Sequence, residues 1–182
     1  VEKRIIQDLD KAYFPIKTIV PSTEIVHDRC NLEVFRGCIR GCRFCQAGFV
    51  CRPVRKKSPD CLYAQATASL EDSGNHELTL ASLSTSDYRG LKELTDRLIP
   101  YCKEEKINLS VPSLRADNFS RELMMKLQTQ RRSGLTFAPE AGTQRLRDVI
   151  NKNLTEEEIL DTCANAFSGG WSSVKLYFML GL

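Results

Sequence analysis

A chain of 182 residues with 42% hydrophobic and 27% charged residues is long enough for one globular domain with a packed core, and its charge is ordinary for a soluble protein. Twenty-six Lys and Arg against 23 Asp and Glu leave +3, too mild by itself to argue for nucleic acid. No stretch approaches the roughly 18 uninterrupted apolar residues of a membrane span, and the opening VEKRIIQDLD has no apolar run of the secretory type. The start on Val1 and the end on the apolar run SSVKLYFMLGL lead us to expect a fragment of a longer protein. Eight cysteines are an even number, yet a chain this rich in core residues does not need disulfide staples; a reducing cytoplasm is the expected setting.

Short apolar runs alternate with amphipathic stretches, as in repeated βα units. Residues 1–32 read as an irregular lead-in, broken by Pro15 and Pro21, and residues 33–182 as the main domain. A first strand is predicted over 33–37, running directly into a cysteine-rich loop. Ser58-Pro59 opens a helix to about Asp72, closed by Ser73-Gly74-Asn75. A second strand follows over 76–83, then a helix from Asp87 to about Glu105. The third strand is predicted over 107–114, restricted late by Pro112. An Asn118 cap precedes a helix over FSRELMMKLQTQ. The fourth strand spans 134–139, with a helix from Gly142-Thr143. Thr155 with Glu158 forms a capping box for a further helix that Gly169-Gly170 stops, and 173–180 is the fifth strand. The order is (βα)4 plus a strand, all expected parallel, as an open sheet or an incomplete barrel; chemistry belongs at the carboxyl ends of the strands.

The informative segment is EVFRGCIRGCRFCQAGFVCRPVRKKSPD. Cys38, Cys42 and Cys45 stand at C-x3-C-x2-C in the loop after strand one, among Gly37, Gly41 and Gly48, which let the backbone curl around a bulky object. Three thiolates in so short a loop can hold three corners of a cubane and leave its fourth iron open, which makes a reaction site rather than a structural one. A structural zinc ion would want a fourth ligand, for which Cys30, Cys51 and His27 compete. Disulfide use and plain core packing are the other readings; Gly and Arg between the cysteines speak against the core.

This motif, with Phe44 as the apolar residue before the last cysteine, resembles the signature of the radical S-adenosylmethionine (SAM) superfamily. The resemblance implies a [4Fe-4S] cluster on Cys38, Cys42 and Cys45 whose fourth iron chelates SAM, one-electron cleavage to a 5′-deoxyadenosyl radical, and Phe44 beside the adenine. FAPEAGTQRLRDVINKNLTEEE is similar to the family's segment after strand four and implies that Glu140 binds the ribose. A helix-capping carboxylate is the competing reading of Glu140. LASLSTSDY lies where the family contacts the SAM amino group; Ser84, Thr85, Ser86 and Asp87 are candidates there, and Ser86 or Asp87 could equally cap the next helix. In VPSLRADNF, Arg115 could fork the SAM carboxylate with help from Ser113, against a solvated surface arginine. KLYFMLGL resembles the start of the strand-five motif near adenine, although Met179 and Leu180 are more often core. Together with RPVRKKSP and PSLRAD, these runs resemble radical SAM proteins that carry an N-terminal cobalamin-binding-like domain. That implies an α/β fold, a partial (β/α)6 TIM-like barrel truncated here after the fifth strand, with cobalamin available only through a domain this chain lacks.

Arg36, Arg40, Arg43, Arg52, Arg55, Lys56 and Lys57 crowd the loop. They read either as counter-charge for anionic thiolates and SAM or as an RNA-binding patch. Cys61, Cys102 and Cys163 fall in predicted helices as small buried hydrophobes. The leading expectation is an enzyme acting on an unknown substrate, by RNA or protein methylation or methylthiolation, with SAM and an electron donor such as flavodoxin or ferredoxin as partners. The alternative is a zinc- or iron-sulfur-stabilised binding module without turnover.

Overall fold

The computed structural model describes residues 2–112, 114–118, 125–126 and 134–182. β1 (Cys30–Glu33), β4 (Glu77–Ala81) and β5 (Asn108–Ser110) form a parallel sheet in the order β1-β4-β5, with Leu32 opposite Leu80 and Leu78 opposite Leu109. β6 (Leu135–Glu140) and β7 (Val174–Phe178) form a second parallel pair. No ladder joins β5 to β6 among the described residues.

The crossover from β1 to β4 is α2 (Pro59–Ser73), and its ends follow from local chemistry. The Ser58 hydroxyl accepts the Cys61 amide, Pro59 suits the first turn, and Gly74 closes the helix at φ 68°. α3 (Leu91–Glu104) leads to β5. Both helices press one face on the sheet: Leu62, Ala66, Leu94 and Leu98 bury against Leu32, Leu78 and Leu80. Each such leucine contributes about 1.5–3 kcal/mol by leaving water, so truncating Leu80 to Ala would cost about 2–5 kcal/mol. α5 (Glu156–Ser168), with the expected reciprocal capping box of Thr155 and Glu158, covers β6–β7 through Ala166. No helix among the described residues is long and apolar enough to cross a membrane.

Several boundaries differ from the sequence reading. The first parallel strand ends at Glu33, because the Val34 amide makes the last bond to Ala81 and the chain then turns. β2 (Phe35–Arg36) instead pairs antiparallel with β3 (Arg55–Lys56), so a short ribbon ties the two ends of the cysteine loop; among the described strands the five joined by crossovers alone are parallel. β1 begins at Cys30, inside the segment read as lead-in. That segment is packed down elsewhere too: Leu9 is buried, and Asp10 accepts the Ser58 amide at 2.8 Å. β5 is short because Pro112 has no N–H to donate. The turn Thr85–Asp87 is a 3-10 segment rather than the start of α3. The helix read over FSRELMMKLQTQ lies almost wholly outside the described residues. Met179 and Leu180 are exposed rather than core.

Candidate metal centre

The loop leaves β2 through Gly37, whose φ of 91° no branched side chain adopts readily; a Cβ there would sit 2.9 Å from the Cys51 carbonyl. The other end of the loop carries α1 (Gln46–Val50), a single turn capped by Cys45 itself. The Gly48 amide donates to Cys45 Sγ at 3.3 Å, and the Arg40 amide to Cys38 Sγ at 3.5 Å. A Cβ on Gly48 would meet Cys45 Sγ at 3.5 Å, an ordinary contact, so the Gly48 backbone lies beside this sulfur. Amides aimed at sulfur tune a cluster that those sulfurs hold.

All eight cysteines are free thiols. Cys38, Cys42 and Cys45 line one open cleft of about 320 Å³, together with Phe44, Ser84, Arg115 and Glu140. Among the described residues, no other Cys and no His lines it. Cys30 sits on β1 at the far end of the sheet beside His27, and burial pushes its thiol up. Cys51 lies at the C-cap of α1. No three His, Cys, Asp or Glu side chains converge on a single-ion site among the described residues. Three cysteine side chains on one cleft, with no further Cys or His lining it among the described residues, fit three corners of a cluster with one open iron better than a closed tetrahedral zinc site.

The opposite wall comes from the segment after β6. Glu140 has φ 68° at the end of β6, a conformation costly for a non-glycine residue. Its carboxylate pairs with Lys152 at 3.2 Å, and the same ammonium lies 5.9 Å from the centroid of the Phe44 ring. The turn that returns Lys152 is built around α4 (Gln144–Val149), capped by Thr143. Arg147 is buried and, among the described residues, has no carboxylate partner; it donates to the carbonyls of Ala141, Gly142 and Leu154. Asn151 donates to Gly41 O at 2.9 Å, and the Arg43 amide donates to Ile150 O at 2.9 Å. The fourth crossover thus clamps the cysteine loop.

Of the 84–87 turn, Ser84 alone lines this cleft; Thr85 and Ser86 are buried, and Ser86 Oγ accepts the Arg115 amide. Asp87 accepts from Ser84 at 2.7 Å and from Arg40. Arg115 lies on the cleft wall rather than in solvent, but commits Nε and one Nη to Asp117 and the Lys152 carbonyl. Ser113 lies outside the described residues. Sequence reasoning missed Lys152, Asn151 and Asp117. Arg40 was visible only as one of seven basic residues, although its place between Cys38 and Cys42 singles it out. Most of that basic group is committed within the chain: Arg36 to Glu33, Arg43 to the Val149 carbonyl, Arg55 to the Pro53 carbonyl and Lys57 to Gln65.

A family model described as the radical SAM superfamily matches residues 32–182. Uncharacterized protein MJ0966 of Methanocaldococcus jannaschii is 36% identical over 151 residues, covering 83% of this chain and 32% of its own, so the chain spans about a third of that relative's length. Among solved structures, apo OxsB, described as a cobalamin-dependent S-adenosylmethionine radical enzyme, matches with TM-score 0.61 at 18% identity over 81% of this chain and 23% of its own. Methylornithine synthase (PylB) matches with TM-score 0.56 at 14% identity over 84% and 44%. At such identities the likeness is one of fold, and it is to the partial α/β barrel with parallel strands.

Proposed function

The chain belongs to the radical SAM superfamily, and on that footing we propose that it is the barrel part, 33–182 with 1–32 as lead-in, of an enzyme that cleaves SAM reductively and turns the resulting radical on a substrate. Membership implies a [4Fe-4S] cluster, SAM and a reductant. The observation that carries the reading is that Cys38, Cys42 and Cys45, free thiols, share one cleft with Glu140 and with no other Cys or His. When bound, the cluster supplies the electron that breaks the SAM sulfonium to give a 5′-deoxyadenosyl radical.

The chain's own groups then divide the work. Cys38, Cys42 and Cys45 hold three irons. Phe44, partly exposed on the cleft wall, packs beside the adenine, and Glu140 accepts from the ribose hydroxyls while Lys152, paired with it at 3.2 Å, keeps its carboxylate aimed. Ser84 accepts from or donates to the amino-acid end, with Thr85, Ser86 and Asp87 shaping that turn behind it. Arg115, on the cleft wall, faces the SAM carboxylate through the part of its fork not held by Asp117; Ser113, the other candidate for that carboxylate, lies outside the described residues. The electron donor is a low-potential carrier such as a flavodoxin or ferredoxin, in a reducing cytoplasm. The substrate is RNA or protein, modified by methylation or methylthiolation. OxsB is a cobalamin-dependent enzyme by its description; cobalamin enters here only through a domain outside this chain.

Anaerobic reconstitution of the full-length protein with iron and sulfide tests the reading. About four irons per chain with a reducible [4Fe-4S] spectrum, lost in Cys38→Ala, Cys42→Ala and Cys45→Ala, are expected. One tightly held zinc per chain and no cluster would favour the binding module instead.

A further inference from the structure

One side chain inside the cysteine loop reaches out of it. Arg40, between Cys38 and Cys42, forks the Asp87 carboxylate with Nε at 2.8 Å and with one Nη, and its other Nη donates to Asp117 at 2.8 Å. Asp87 follows β4 and Asp117 follows β5, 47 and 77 residues away. Both carboxylates are nearly buried, with side-chain exposures of 6% and 9%. Asp117 is gripped on its other side by Arg115, which holds the Lys152 carbonyl. Arg40 has Nε and both Nη committed to these two carboxylates, so it is not itself a lure for an anionic ligand. The array is a frame.

We infer that Arg40 is a positioning residue, the pin that fixes the Cys38–Cys42 half of the loop to the rim of β4 and β5 before any ligand arrives. Its own amide donates to Cys38 Sγ, so the guanidinium's anchorage is transmitted to that sulfur through a single residue. The fork matters. Lysine presents one point charge and holds one carboxylate at a time, whereas the guanidinium holds both in fixed directions. The inference rests on the proposed ligand set in taking Cys38 and Cys42 as the groups positioned.

The test uses the full-length protein before reconstitution, with iodoacetamide alkylation of each cysteine timed by mass spectrometry. Cys102, fully buried on α3, reports loss of the fold. Cys38 in Arg40→Met should alkylate about tenfold faster than in the wild type, as expected for freed local opening, with Arg40→Lys between them and Cys102 unchanged. Equal Cys38 rates in wild type and Arg40→Met overturn the inference. If Arg40→Met also accelerates Cys102, Asp117→Asn decides: acceleration at Cys38 alone supports the pin, and none overturns it. After reconstitution, the reduced-cluster EPR signal of Arg40→Met should respond more weakly to SAM, with partial recovery in Arg40→Lys; a full wild-type response contradicts positioning. Alkylation is read with no cluster present, so a wild type that assembles none refutes the functional reading while the pin stands or falls on its own rates.

Discussion

Asn151 donates its side-chain amide to the carbonyl oxygen of Gly41 at 2.9 Å across 110 residues of chain. Its own backbone is left-handed, φ 55°, a conformation that asparagine tolerates better than most residues. One residue therefore both makes the turn and clamps the cysteine loop.

Asn151→Ala loses the amide and strains the turn, whereas Asn151→Gly loses the amide alone. Urea unfolding should show the alanine variant less stable than the glycine variant by about 1 kcal/mol. Equal stabilities would mean that the turn carries no strain. Both variants should retain less iron than the wild type after reconstitution.

Glu140 is expected to act on SAM and not on the cluster. Glu140→Gln keeps the shape but removes the charge that Lys152 holds and that hydroxyls donate to. A charge-assisted hydrogen bond is worth about 1.5–3 kcal/mol, so SAM affinity by equilibrium dialysis should fall at least about tenfold with iron content unchanged. Loss of iron with intact SAM affinity would place Glu140 on the wrong partner.

Alkaline pH should loosen the core between α2, α3 and the β1-β4-β5 sheet, to which Cys102 belongs. Burial pushes the Cys102 thiol from 9.0 up to about 11. The folded pKa is raised, so the stabilisation is complete below pH 9, where both states are protonated, and is lost as pH rises through about 11. The displacement corresponds to roughly 3 kcal/mol. Tyr88 behaves alike, pushed from 10.0 to about 12 by burial. Stability by urea titration should fall from pH 9 to 11, and Cys102→Ala should flatten that slope by one proton; an unchanged slope would show that the thiol is not buried.

What the sequence disclosed depended on range. The ends of α2 and α5 were legible because Ser58-Pro59, Gly74 and the Thr155–Glu158 box act within one turn. The cysteine motif was legible for the same reason. The β2–β3 ribbon was not, since strands of two residues carry no periodicity. Neither was the Arg40–Asp117 contact, whose partners share no local pattern and meet only when β5 lies beside β4. Asp87 read equally as a cap or a ligand-facing carboxylate; in the fold it is the acceptor of Arg40.

The proposed reductive cleavage of SAM depends on Cys38, Cys42 and Cys45 holding the cluster. The most direct measurement is 5′-deoxyadenosine released by the reconstituted full-length protein under dithionite with SAM present. Release is expected in the wild type and none in Cys45→Ala. Cluster-loaded wild-type protein that binds SAM yet releases no 5′-deoxyadenosine would contradict it.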